Sequence, residues 1–248
     1  MGNINDIYFD GLYKEIWKTI IPDELTVKET DFMVTYFGLQ PGNKVLDLMC
    51  GYGRHTLALA RKGIHVTAID NLAAYTAEIK EAADRENLPV TTITSSVTAC
   101  RPGDDQFDLA ICMGNSLNFF TDAELANLLS IVSYSLKKGG HFLINTWSIA
   151  EIAFKSFRDK GWSQIGDIKF LTDSKILFHP TRIESESIFI TPDNTTETKK
   201  AIDYIYSLNE LENMLHAAGM EIKQVYSIPG KKPFTAGEPR AYIVAVRS

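Results

Sequence analysis

The spacing of apolar residues changes several times along the chain, and each change marks an element. In residues 1–40, Tyr8, Phe9, Leu12, Tyr13, Ile16 and Trp17 form an aromatic-rich stripe that predicts a helix. A second helix runs from about Pro22 to Phe37 and stops at Gly38, and Pro41-Gly42-Asn43 predicts a turn. Val45-Leu46-Asp47-Leu48 is then a short apolar run of the kind found in strands buried on both faces. A glycine turn, Gly51-Tyr52-Gly53, leads into a helix from about His55 to Lys62 that ends at Gly63. Further strands are predicted at His65 to Ile69, Val90 to Thr94 and Phe107 to Met113, with a helix from Ala73 to Glu86 between the first two. Thr121 and Glu124 make a capping box. The helix behind it carries Leu125, Leu128, Leu129, Val132 and Leu136 on one face, Gly139-Gly140 ends it, and Phe142 to Trp147 is a fifth strand. Repeated alternation of strand and helix predicts a mostly parallel sheet with helices on both faces.

The alternation breaks after Trp147. A short helix, Ile149 to Phe157, precedes a stretch from Gly161 to Tyr206 without helical periodicity. Ile176 to Phe178, Ile188 to Ile190 and the Ile202, Tyr204, Tyr206 alternation read as strands, with turns at Asp173-Ser174 and Pro192-Asp193-Asn194. The α/β pattern resumes at a second capping box, Ser207 and Glu210, and two last strands, Met220 to Ile228 and Tyr242 to Val246, are joined by a Gly/Lys/Pro-rich loop. The predicted organisation is a helical cap (1–40), an α/β domain in two pieces (41–150 and 205–248) and a β-rich insertion (151–204) that closes over it as a lid.

Composition narrows the function classes. The 248 residues suffice for a large core without disulfide or metal staples, and 45% hydrophobic with 23% charged residues is ordinary for a globular chain. A net charge of −6 with no basic run argues against nucleic acid as partner. The cysteines (Cys50, Cys100, Cys112) are three, widely spaced and without a CxxC pair, which fits reduced thiols in the cytoplasm. The five histidines show no metal-ligand spacing, so no metal is expected. The opening MGNINDIYFDG lacks a basic segment followed by an apolar one, and no long apolar run suggests a membrane span.

In an open parallel sheet, ligands bind beyond the carboxyl ends of the strands, near the switch in strand order. The first strand and turn read Asp47-Leu48-Met49-Cys50-Gly51-Tyr52-Gly53-Arg54-His55. Gly51 and Gly53 let backbone approach a ligand, and the following helix offers free N–H groups. Thr56 stands where the dinucleotide fingerprint wants its third small residue, which disfavours a nicotinamide cofactor. Asp70, at the end of the second strand, is placed to accept hydrogen bonds from ribose hydroxyls.

These residues resemble motif I of the class I S-adenosylmethionine-dependent methyltransferases, in the D-x-x-C-G-x-G-R-H variant of small-molecule enzymes. Asp70-Asn71 resembles their ribose-binding acid. Phe107 to Ser116 is similar to motif IV, Leu136-Lys137-Lys138-Gly139-Gly140 to the turn before strand five, and Tyr206 to Leu211 with Ala218-Gly219-Met220 to the last helix and turn. The resemblance implies a Rossmann-like fold with a seven-stranded sheet whose final strand is antiparallel, and S-adenosylmethionine as cofactor. It implies cofactor contacts from Asp47, Met49, Cys50, Gly51 and Gly53, from Asp70 and Asn71, from Ser96 and Val97, and from Met113, Gly114 and Asn115. Candidate substrate residues are Trp17, Ser116, Trp147, His179, Arg182 and Tyr206. Two departures stand out: Met49 replaces the first glycine of motif I, and Ser95-Ser96-Val97 lacks the acid that contacts adenine in many members. The expected reaction is in-line methyl transfer to nitrogen or oxygen of a small acceptor, by a monomer or homodimer, with the catalytic base unassigned. Rival readings are a non-catalytic S-adenosylmethionine-binding regulator, a nicotinamide-dependent oxidoreductase and an rRNA methyltransferase.

Overall fold

The computed structural model describes residues 3–248. After a 3-10 turn at Ile4–Ile7 come helices α1 (Gly11–Ile20) and α2 (Asp23–Tyr36). The α/β unit follows as β1 (Lys44–Leu48), α3 (Arg54–Ala60), β2 (His65–Asp70), α4 (Ala73–Glu86), β3 (Val90–Thr94), β4 (Phe107–Cys112), α5 (Asp122–Ser135) and β5 (Leu136–Thr146). Then α6 (Ala150–Ser156) leads to β6 (Lys160–Ile165), β7 (Ile168–Phe178), β8 (Thr181–Ile190) and β9 (Thr196–Tyr204). The chain returns through α7 (Leu208–Ala217), β10 (Met220–Ile228), β11 (Lys232–Pro233) and β12 (Ala241–Arg247).

The main sheet has the order β11-β10-β12-β5-β4-β1-β2-β3. Strands β1 to β5 pair in parallel, and β12 runs antiparallel to both its neighbours, β10 and β5. Seven of these strands fulfil the sequence expectation; the eighth, β11, is a two-residue edge formed by the loop before β12. Strand order reverses between β1, whose sequence neighbour β2 lies on one side, and β4 on the other, so their carboxyl ends open a crevice.

The core follows from strand alternation. Leu46, Leu48, Ala110 and Cys112 face α5 and α7, where Leu125, Leu128, Leu129, Leu211 and Leu215 are buried. Val45, Leu109 and Ile111 face the other way, with Met33 of α2 and Leu59 of α3. Asp47 shares this second side by the same alternation, which is why it meets the first turn of α3. Both capping boxes form: Thr121 with Glu124, and Ser207 with Glu210. None of the helices is long and apolar enough to cross a membrane among the described residues.

Two local expectations are corrected. Helix α5 stops at Ser135 rather than at Gly139-Gly140, because Leu136 is already extended and pairs with Phe107. The bend falls at Gly139, whose φ is +76°. Asp173-Ser174 is no turn: it lies inside β7, paired with Glu186 and Ser185, and the Ser174 and Ser185 hydroxyls meet at 2.8 Å. Polar residues there mark the exposed part of a long hairpin; the turns are at Gly166-Asp167 and His179-Pro180. The four strands β6-β7-β8-β9 form their own antiparallel sheet.

Candidate active site

The turn after β1 is built from left-handed residues: Met49 (φ +53°), Gly51 (φ +53°) and Gly53 (φ +78°). Met49 thus takes the conformation a glycine would supply, at a cost of about 1–2 kcal/mol that the turn must offset. Backbone bonds do so: Cys50 N–H donates to Ile69 at 3.1 Å, and Gly53 N–H donates to Cys50 at 3.0 Å. Gly53 is required sterically, since a Cβ there would collide with the Ile79 side chain. At Gly51 an added Cβ meets nothing within 4 Å, because that face is open to a cavity.

Two carboxylates are fixed around this turn. Thr56 donates to Asp47 at 2.6 Å, so the residue too large for a dinucleotide fingerprint here anchors the strand acid. Burial pushes the Asp47 carboxyl up, and the charges of His55 and Arg54 with the Thr56 bond oppose that. Asp70 accepts from Gly51 N–H at 2.9 Å and from Leu72 N–H at 3.0 Å. Burial also raises Asp70, against the lowering effect of those backbone donors. Cys50 and Cys112 are pushed up by burial and by neighbouring carboxylates, which makes them small packing residues and not nucleophiles.

A buried charge cluster, not evident from sequence, stands beside them. Glu29 of α2 accepts from Arg54 at 2.6 Å, from His55 at 2.9 Å and from the Tyr242 hydroxyl at 2.7 Å. Burial alone would raise Glu29, but its hydrogen bonds to His55 and Tyr242 and the His55 and Arg54 charges hold it at about 2. The sequence did contain a signal, an acid on the helix face that also carries Met33, one turn from it.

The turns enclose a cavity of about 780 Å³ at the carboxyl ends of the central strands. Asp47, Met49, Cys50 and Gly51 line it after β1, and Asp70 and Asn71 after β2. Ser96 and Val97 follow from the turn after β3, and Met113 and Gly114 from that after β4. Among the candidate substrate residues, Trp17, Ser116 and Trp147 also line it.

Five candidates are placed elsewhere. Gly53 is buried under Ile79. Asn115 is wholly engaged: it donates to Ser148 at 2.8 Å and Asp203 at 2.9 Å, and accepts from Thr146, Trp147 and Ser148. It rivets β9 to the end of β5. Tyr206 is buried and donates to the Phe120 carbonyl at 2.8 Å. His179 and Arg182 sit at the β7–β8 hairpin end, where Arg182 bonds Glu184 and the carbonyls of His179 and Pro180. In the sequence this pair reads as ligand chemistry; folded, it closes a hairpin.

The outer wall comes instead from the N-terminal residues Phe9, Tyr13, Trp17, Ile21 and Leu25. Tyr13 stacks on Trp17 with ring centroids 5.3 Å apart. The wall is tied to the α/β unit by Asn71 donating to Asp6 at 2.7 Å and by Tyr75 donating to the Phe9 carbonyl at 2.7 Å. The antiparallel sheet backs it from outside. Asn5 exchanges two 2.9 Å bonds with the Ile202 backbone, Tyr8 meets Ser187 at 2.9 Å, and Lys199 pairs with Asp10 and with Glu197 at 3.0 Å. No residue of β6 to β9 lines the cavity among the described residues. The insertion thus forms the outer layer of the cover, behind the N-terminal wall.

This arrangement fits S-adenosylmethionine. Gly51 and Gly114 leave open space where a Cβ would stand, two fixed carboxylates suit an amino group and a ribose diol, and aromatic faces suit a sulfonium. Residues 45–140 match the family model described as a methyltransferase domain. An uncharacterised methyltransferase of Synechocystis is 34% identical over 107 residues, 43% of this chain and 48% of that protein. Glycine N-methyltransferase of Rattus norvegicus is 29% identical over 138 residues, 49% of this chain and 45% of that protein. The chain thus spans about half the length of these curated relatives. An S-adenosylmethionine-dependent methyltransferase structure from Clostridium acetobutylicum superposes with a TM-score of 0.82 at 17% identity, over 96% of both chains. Motif order, strand order and the family model over residues 45–140 all make the α/β unit similar to the class I S-adenosylmethionine-dependent methyltransferase domain.

Proposed function

We propose that the protein methylates a nitrogen atom of a small-molecule acceptor. The observation that carries the small-molecule part of this reading is the cavity of about 780 Å³, roomy enough for cofactor and acceptor side by side. When bound, S-adenosylmethionine supplies a methyl group on a positively charged sulfur. The chain's own task is alignment and exclusion of water, and alignment of that kind supplies ~7–11 kcal/mol. Phe9, Tyr13 and Trp17 close the outer side, while Met113 and Trp147 flank the strand ends.

The titratable groups favour nitrogen over oxygen. A hydroxyl acceptor needs a proton acceptor at the reacting atom. His55 lines the cavity but is bound to Glu29, and Asp47 is bound to Thr56. Burial pushes the Tyr13 hydroxyl well above its ordinary range, which leaves it no anion to offer. A neutral amine brings its own lone pair. The N-methyltransferase name of the rat relative points the same way, and the charge of −6 without a basic stripe supports a metabolite over nucleic acid.

Calorimetric titration with S-adenosylhomocysteine tests the cofactor half of this reading. Wild type is expected to bind, and Asp70→Ala to bind more weakly by about 1–3 kcal/mol, the cost of unpairing charge-assisted hydrogen bonds. Transfer of labelled methyl to amines but not to alcohols of matched shape tests the acceptor half. No heat in wild type would sink the proposal.

A further inference from the structure

The cavity has an end beyond the turns that suit the cofactor. Arg240 lines it from the residue before β12, and Ala241 pairs with Thr146 at the carboxyl end of β5. Between β12 and β1 the sheet passes through β5 and β4. At ~4.8 Å per strand, Arg240 stands roughly 14 Å along the sheet from the turn after β1. The cofactor-fitted residues lie at the carboxyl ends of β1 to β4, and Trp147, which also lines the cavity, follows β5, the strand between β4 and β12.

Charge singles it out further. Arg54 and His55, the other basic groups lining the cavity, are both held by Glu29. Arg240 meets no carboxylate among the described residues; its polar neighbour is the Tyr242 hydroxyl, which itself donates to Glu29. The acids that line the cavity are engaged: Asp6 with Asn71, Glu124 in the Thr121 capping box, Asp47 with Thr56 and Asp70 with backbone N–H groups. A half-buried guanidinium without an anion keeps a planar fork of donors for a ligand, and that fork matches a carboxylate bidentately.

We propose that Arg240 selects the acceptor, and that the acceptor is a small amine carrying a carboxylate, which Arg240 grips while the amine nitrogen faces the methyl group. This rests on the nitrogen-acceptor reading above. Transfer forms an N–C bond as the C–S bond breaks, the S–C electron pair stays on sulfur, and the methylated ammonium releases a proton to water.

The test uses the full chain with methyl-labelled S-adenosylmethionine and a pooled small-molecule cell extract. Labelled products are run over an anion exchanger at about pH 6 and again above about pH 11, with and without phosphatase treatment. An alkylamine is uncharged at the higher pH, and a carboxylate product is retained there with or without the phosphatase and without phenol or thiol character. The expected result is a retained product, with the Arg240→Gln rate at low extract concentration down about tenfold or more, Arg240→Lys intermediate, and S-adenosylhomocysteine affinity unchanged in both. An unretained product, or a Gln variant as fast as wild type, overturns the proposal. So does loss of S-adenosylhomocysteine affinity in the Gln variant, which would assign Arg240 to the cofactor. If S-adenosylhomocysteine affinity is normal but no amine is labelled, the acceptor reading itself falls, and this inference with it.

Discussion

Glu29 shows how much one side chain can hold. Its carboxylate gathers Arg54 and His55 from one helix and Tyr242 from a strand, and its pKa of about 2 lies below the ordinary 4.5. A depressed carboxyl contributes stability that is present above its unfolded pKa and lost as pH falls through the folded one. That difference amounts to about 3 kcal/mol, disappearing between about pH 5 and pH 2. Denaturant unfolding across that window is expected to show the loss in wild type and a flatter profile in Glu29→Gln, which starts from lower stability. Gly53→Ala is expected to cost more than about 2 kcal/mol, since it adds a left-handed Cβ to a collision with Ile79; a melting curve like wild type would refute that packing. At this scale the sequence was most legible where backbone dictates residue type, as at Gly51 and Asp70. It was least legible where a role depends on a partner far along the chain. Glu29 meets Tyr242 across 213 positions, and no local pattern reports that.

Among the elements, the joint between β9 and the α/β unit carries a titratable group with the opposite sign. Asp203 is raised to about 6 by burial, against its bonds from Ser148 and Asn115. A raised carboxyl is at no disadvantage below its unfolded pKa, near 4, and its full penalty is reached above about pH 6. Asp203→Asn keeps an acceptor for Asn115 and is expected to add up to about 3 kcal/mol at pH 8 and nothing at pH 4, read from unfolding at both values. The N-terminal wall has its own joint in Asn5. Asn5→Ala is expected to raise hydrogen exchange in α1 and to weaken S-adenosylhomocysteine binding, while amides of the central strands stay protected. The strands and helices of the α/β unit were legible because period and caps agree: both capping boxes and the buried face of α5 formed as read. The antiparallel sheet was legible in kind but not in detail. Its strands are partly exposed on both faces, so alternation is weak and polar pairs such as Asp173-Ser174 imitate turns.

For the whole molecule, sheet order places the cavity at the carboxyl ends of the central strands and the N-terminal residues form its outer wall. The crevice between β1 and β4 was predictable from strand alternation, and the outer wall in part, since residues 1–40 read as a helical cap and Trp17 as a candidate at the site. The sequence suggested that the insertion closes the site; in the fold its sheet is the outer layer of that cover, with the aromatic stripe of α1 between it and the cavity. His179→Ala and Arg182→Ala are therefore expected to leave methyl transfer within about twofold of wild type, as surface changes do, and a tenfold loss in either would return the hairpin to the site. The separation has a historical side. A sheet that backs the cavity wall through particular joints (Ile202, Ser187, Lys199 and Asp203 among them) is constrained at those joints and freer elsewhere. Descendants of such a chain can rebuild the hairpin, lengthen it or enlist its outer face for another duty without relearning their substrate, while a single change in the aromatic stripe puts the substrate itself up for renegotiation.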